Sequence, residues 1–185
     1  LAKILIDYWK TESGNKNFVP GKTKIQYSGP IFGKNEINAL TDSLVDSIES
    51  GQYVAGKKVS AFELALAKYI TTKYAISANS GSSANLLAFS ALKDYHLSNP
   101  LQPGDEVITC ALNFSTSLNP IIQHGMVPML VDSKERTYTF DPEQVKAAIT
   151  DKTRCIMAVH LFGNSCDMDA ILKIAKNHDL YVVED

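Results

Sequence analysis

The stretch Asn79-Ser80-Gly81-Ser82-Ser83-Ala84-Asn85-Leu86 has a clear capacity for chemistry. A glycine between small hydroxyl residues, at the start of a helix-like run, leaves backbone N–H groups free and the approach to them open. The helix dipole adds partial positive charge, so the site suits a phosphate. The same residues equally suit a serine-rich helix cap that binds nothing. What decides between the two is which other groups reach the same place.

The elements that would position this stretch follow from a regular alternation. Strand-like Tyr74–Ser77 leads to a helix over Ser83–Asp94, and Glu106–Thr109 to a helix over Ser115–His124. Val127–Val131 leads to a helix over Pro142–Ile149, with Asp141 as its N-cap and Pro142 in its first turn. Cys155–His160 leads to Asp167–Asn177, and Leu180–Glu184 reads as a fifth strand. Helices between short, β-branched apolar runs predict right-handed βαβ units, hence an α/β fold with three αβα layers and a mainly parallel sheet. Upstream, Asn35–Ser50 carries an apolar stripe at Ile37, Leu40, Leu44, Val45 and Ile48, and Val59–Ile70 carries a second. Ser60 and Glu63 fit a capping box. Residues 1–33 read as a short helix followed by an extended N-terminal arm, with turns at Ser13 to Asn17, Pro20-Gly21 and Ser28-Gly29-Pro30. Residues 34–185 then form the main domain.

In open α/β sheets, ligands bind beyond the carboxyl ends of the strands. Here that rule selects Ser80-Gly81-Ser82, Asn113-Phe114, His160 with Asn164, and Glu184-Asp185. A phosphate cradle, an aromatic ring, polar side chains and a carboxylate could so converge. Together they would hold a flat, phosphorylated heteroaromatic ring with a protonated nitrogen, able to accept electrons from a substrate carbanion. Each residue has a plainer reading as well. Phe114 suits a core, Asp185 a loop cap or a magnesium ligand, and His160 a hydrogen-bonded interior histidine. Asn113 and Asn164 suit turns.

Whole-chain properties narrow the field. The chain has 185 residues, of which 45% are hydrophobic and 21% charged, an ordinary composition for a globular protein with a sizeable core. A net charge of −2 gives no electrostatic reason to expect nucleic acid or an anionic membrane. No apolar run approaches the roughly 20 residues of a membrane span. Leu1 to Lys10 has no signal-peptide layout, and the three cysteines (Cys110, Cys155, Cys166) show no CxxC spacing. They point to reduced thiols in a cytoplasmic protein and to no metal site. Ser80 to Asn85 lacks GxGxxG, which disfavours a dinucleotide oxidoreductase, and Gly21-Lys22-Thr23 sits outside any P-loop context.

The order of motifs resembles the fold-type I, vitamin B6-dependent sugar-nucleotide aminotransferase and dehydrase family, the DegT/DnrJ/StrS group. The matching stretches are Gly51-Gln52-Tyr53-Val54-Ala55-Gly56 with Phe62-Glu63, Ser80 to Leu86, Pro103 to Ile108, Asn119-Pro120 with Gly125, and Val131-Asp132. Val159 to Gly163, Asp167 to Ile171 and Val182-Val183-Glu184-Asp185 complete the series. Within the group, Phe18 to Thr23, Ser80 to Ala88 and Asn119 to Gln123 look most like NDP-4-keto-6-deoxyhexose 3-dehydrases, the CDP-4-keto-6-deoxyglucose type included. His160-Leu161-Phe162-Gly163 instead reads like the general aminotransferase form, and Ala111 to Ser115 departs from the dehydrase pattern.

The resemblance implies a cofactor, pyridoxal 5'-phosphate (PLP) or pyridoxamine 5'-phosphate (PMP). Gly81 and Ser82, with Ser83 beside them, would bind its phosphate. Phe114 would stack on its ring, Asp185 would pair with its ring nitrogen, and Asn164 and His160 would lie near the pocket. Tyr53 would approach a nucleotide-sugar substrate of lipopolysaccharide, O-antigen or deoxysugar biosynthesis. The residue that separates the two reactions, a Schiff-base lysine in aminotransferases or a histidine in 3-dehydrases, falls beyond Asp185 in the family. So would iron–sulfur ligands and a small C-terminal domain. The resemblance therefore implies the N-terminal part of a longer homodimeric enzyme whose piece alone completes no turnover. As a 3-dehydrase it would need a reductase partner, and as an aminotransferase an amino donor such as glutamate. A third reading is an inactive fragment serving only as a binding or dimerisation module.

Overall fold

Short β-branched and apolar runs pair only where a neighbouring strand offers a ladder, and four of them do so here. The computed structural model describes residues 1–13, 18–25 and 32–185. It divides into two compact units, Leu1–Ser77 and Ala78–Asp185.

The second unit carries the sheet. Its elements are α4 (Gly81–Leu92), β1 (Glu106–Cys110), α5 (Ser115–Gln123), β2 (Val127–Val131), α6 (Pro142–Ala147), β3 (Thr153–Ala158), α7 (Met168–His178) and β4 (Tyr181–Glu184). A single 3₁₀ turn, Leu161–Gly163, follows β3. The sheet order is β2-β1-β3-β4 and every pairing is parallel, with Ile108 opposite both Met129 and Ile156, and Ile156 opposite Val182. Alternate residues enter two different cores. Val107, Cys155 and Met157 pack with Phe89 of α4 and Ile121 of α5. Ile108, Ile156 and Ala158 pack with Val145 of α6 and with Ile171 and Ala175 of α7. Burial on both faces explains the unbroken apolar runs of β1 and β3 and gives the expected three layers. Asp141 caps α6 as expected, its side chain accepting from the Glu143 N–H at 3.2 Å. Asp167 caps α7 in the same way, through the Ala170 N–H at 3.1 Å. Gly125 turns the chain between α5 and β2 at φ +79°, where an added Cβ would lie 3.2 Å from Pro103 Cβ. Only glycine takes that backbone without strain.

The first unit is helical: α1 (Ala2–Ser13), α2 (Lys34–Ser50) and α3 (Lys57–Tyr69), with α1 packed on α2. The expected stripe on α2 forms, but Leu40, Leu44, Val45 and Ile48 all remain exposed. Lys22 and Thr23 close a turn on the Val19 carbonyl. The turn residues expected at 14–17 and 28–30 lie outside the described residues. Two local expectations are corrected. Residues 74–77 form no strand, because no described strand pairs with them, and Tyr74 and Ile76 stay exposed. The capping box at Ser60 and Glu63 is absent, because α3 begins earlier with Gly56 as its N-cap. Glu63 instead accepts from the N–H and the Oγ of Ser77, both at 2.8 Å, which holds its carboxyl below the usual value.

All three cysteines are free and buried. Burial pushes the Cys155 thiol up to about 12. At pH 8 its thiolate fraction is on the order of 10⁻⁴, and the thiolate is the nucleophile. Iodoacetamide at pH 8 is therefore expected to leave Cys155 unmodified in the folded protein and to label it only on unfolding, as peptide mass spectrometry would record.

Candidate functional site

The first turn of α4 is a serine-capped helix start. Ser80 is extended at the N-cap, and its Oγ accepts from the Ser83 N–H at 3.2 Å. The N–H groups of Gly81 and Ser82 meet no acceptor among the described residues. These are the orphan donors that every helix start exposes. An added Cβ on Gly81 would meet nothing within 4 Å, so the approach is open. The Ser83 hydroxyl lies 3.3 Å from Ser80 Oγ, inside the cap rather than free.

Helix α5 begins beside α4. A cavity of about 190 Å³ is lined by Ser82, Ser83 and Leu86 from one and Thr116, Asn119 and Pro120 from the other. Phe114 is the N-cap residue of α5 and is 68% exposed, so its core reading does not hold. The connector leading to it is folded by Asn113, whose Nδ2 donates to the Cys110 carbonyl at 2.7 Å and to Thr109 Oγ1 at 3.3 Å. Asn113 thus serves the turn.

Asp185 continues the β3–β4 ladder. Its N–H donates to the Ala158 carbonyl, and its carbonyl accepts from the His160 N–H, each at 2.8 Å. Its side chain is gripped from two helices. Oδ2 accepts from Asn85 Nδ2 of α4 at 2.9 Å and from Ser117 Oγ of α5. Oδ1 takes no hydrogen bond among the described residues. An oxygen already taken by two donors suits a metal poorly, and no group of three metal-ligating side chains occurs among the described residues.

The sequence reading assigns no role to Asn85 or Ser117. Asn85 is 6% exposed and Ser117 fully buried, yet both are satisfied. A signal for Asn85 was present, since an amide one turn into an otherwise apolar helix needs buried partners. Ser117 has no such signal, because a serine in the first turn of a helix is ordinary.

The side chains of His160 and Asn164, expected near the pocket, are engaged by other partners. His160 Nδ1 accepts from the Cys166 N–H at 3.0 Å, so the ring proton sits on Nε2, 3.1 Å from Glu184 Oε2. This tautomer follows from the hydrogen-bond network. Asn164 Nδ2 donates to the Thr137 carbonyl at 3.1 Å, which ties the loop after β3 to the loop after β2. Both side chains hold loops in place. In the first unit, exposed Tyr53 helps to line a cavity of about 410 Å³ with Ser47, Ser50, Lys57 and Lys58.

Among the described residues, helix-start amides without acceptors, an exposed aromatic ring and a carboxylate with one oxygen free of hydrogen bonds have the chemistry that a phosphate, a ring face and a protonated ring nitrogen would need. All of these groups belong to the second unit.

Comparison with known proteins agrees with this chemistry. The chain is 41% identical over 180 residues to a dTDP-4-dehydro-2,6-dideoxy-D-glucose 3-dehydratase from Saccharopolyspora spinosa, covering 97% of this chain and 38% of the relative. The crystal structure of a GDP-4-keto-6-deoxymannose-3-dehydratase with a trapped PLP-glutamate geminal diamine superposes with TM-score 0.77 at 33% identity, over 87% of this chain and 40% of that one. The aminotransferase from Psychrobacter cryohalolentis superposes with TM-score 0.74 at 35% identity, over 84% and 37%. The chain thus spans about two-fifths of the length of these relatives. Its parallel-sheet fold is that of the fold-type I, PLP-dependent aminotransferases. With residues 33–185 matching throughout, the chain belongs to the DegT/DnrJ/EryC1/StrS aminotransferase family.

Proposed function

We propose that this chain forms the cofactor-holding part of a PLP- or PMP-dependent enzyme acting on a nucleotide-linked keto-deoxysugar, and that the reaction removes the C3 hydroxyl. The observation that carries the cofactor assignment is Asp185, a carboxylate with Oδ2 held by Asn85 and Ser117 and with Oδ1 taking no hydrogen bond among the described residues. The dehydration reading draws support from the run Ser80-Gly81-Ser82-Ser83-Ala84-Asn85, where aminotransferases more often carry Gly-Thr, and from the 3-dehydratase relative. When bound, the cofactor supplies a cationic ring that draws electrons from a substrate carbon.

The residues have separate tasks in this reading. The N–H groups of Gly81 and Ser82, with the Ser82 hydroxyl, hold the phosphate. Phe114 covers one ring face and excludes water from it. Asp185 holds the proton on the ring nitrogen. Tyr53 approaches the nucleotide sugar. The enzyme acts in the cytoplasm as a homodimer, and as a dehydrase it works with a reductase.

A second reading, a glutamate-dependent keto-sugar aminotransferase, is favoured by His160-Leu161-Phe162-Gly163. Borohydride treatment of the full-length, cofactor-loaded protein separates the two. Dehydration predicts that all cofactor is released on denaturation. Cofactor mass fixed to a lysine would establish the aminotransferase instead.

Two substitutions in the full-length protein test the cofactor site. Asp185→Asn removes the ionic partner of the ring nitrogen and should weaken PLP binding and turnover by roughly 10–100-fold, the usual value of a charge-assisted hydrogen bond. Phe114→Ala should weaken PLP retention by about 1–3 kcal/mol, in line with lost aromatic contacts. Equilibrium dialysis against PLP would read both.

A further inference from the structure

Asn85 and Ser117 sit one turn inside the two helices whose starts face the same site. Gly81 and Asn85 are four residues apart on α4, about 6 Å along a helix axis at the standard rise. Phe114 and Ser117 are three apart at the start of α5, about 4.5 Å on the same basis. Each helix therefore presents one group toward the ligand and, a turn later, one donor to Asp185 Oδ2.

Asn85 does more than donate once. Pro120 lies inside α5 and has no N–H, so it cannot donate to the carbonyl four residues earlier, that of Thr116. The second amide proton of Asn85 reaches that carbonyl, at 3.3 Å. Both acceptors facing the amide fix its orientation, with Nδ2 toward Asp185 and Thr116. Asparagine offers the two donors this place needs. An aspartate would offer none when ionised and would face Asp185 with like charge.

We infer that Asn85 and Ser117 are positioning residues that lock Asp185 Oδ2 and so present Oδ1 to the ring nitrogen of the cofactor, an inference that rests on the cofactor reading of Asp185. The two helix starts and the carboxylate then form one gauge. The phosphate site at the start of α4, the ring-covering Phe114 at the N-cap of α5 and the carboxylate just after β4 keep their spacing because α4 and α5 share a single oxygen.

The test uses the full-length protein and PLP as the probe, with dissociation constants and the visible circular dichroism of bound PLP as readouts. Ser117→Ala is the conservative arm, since it removes one oxygen. It should weaken PLP binding roughly tenfold, the usual effect of losing a hydrogen bond to a charged group, and reduce the dichroic band. In an Asp185→Asn background the same change should alter binding less than about twofold, because its effect runs through the carboxylate. Asn85→Leu, of similar size, should behave likewise and also lower the melting temperature of the apoprotein. An equal effect of Ser117→Ala in both backgrounds, or none in the parent protein, would overturn the positioning role. If Asp185→Asn weakens PLP while Asn85→Leu and Ser117→Ala do not, this inference alone fails. If Asp185→Asn leaves binding and dichroism unchanged, the cofactor assignment of Asp185 fails as well.

Discussion

One carboxylate oxygen, Asp185 Oδ2, joins three elements of the second unit. It takes the Asn85 amide from α4 and the Ser117 hydroxyl from α5, while the backbone of the same residue extends the β3–β4 ladder. Removing either donor would leave Oδ2 with one partner in place of two, and both donors are buried, Ser117 completely. The arrangement therefore has a preferred geometry. It explains why two small polar residues stand inside helices that otherwise bury apolar side chains.

The sheet makes that junction reachable. Parallel strands all present their carboxyl ends to one side, and the order β2-β1-β3-β4 places β1 and β3 at the centre. The connectors after β1 and β3 leave from that side. Their side chains first satisfy the connectors themselves. Asn113 folds back on Cys110, His160 is held between Cys166 and Glu184, and Asn164 ties two loops together. Phe114 has no such duty and stays exposed. The residues left free by the loop architecture are thus the ones with capacity to bind. This distinction leaves His160 and Asn164 as residues whose side chains hold the loops after β2 and β3.

The first unit shows how far local pattern carries without a partner surface. Its helices form where periodicity and glycine boundaries put them, yet the apolar face of α2 remains open. Residues 74–77 have the composition of a strand and no ladder. Helices close their hydrogen bonds internally, whereas a strand exists only through its neighbour.

By itself, the sequence determined the αβα class, four of the strands, the serine-rich cap at the start of α4 and the cap at Asp141. All of these depend on side-chain periodicity or on contacts within a few residues. Tertiary structure decided the rest. It made Asn113 a turn residue, exposed Phe114 and engaged both ring nitrogens of His160. It also brought Asn85 and Ser117, 100 and 68 residues before Asp185 in the chain, onto one oxygen. No periodicity encodes such a meeting. It arises because two helices pack on one face of a parallel sheet, and their starts come together where β4 ends.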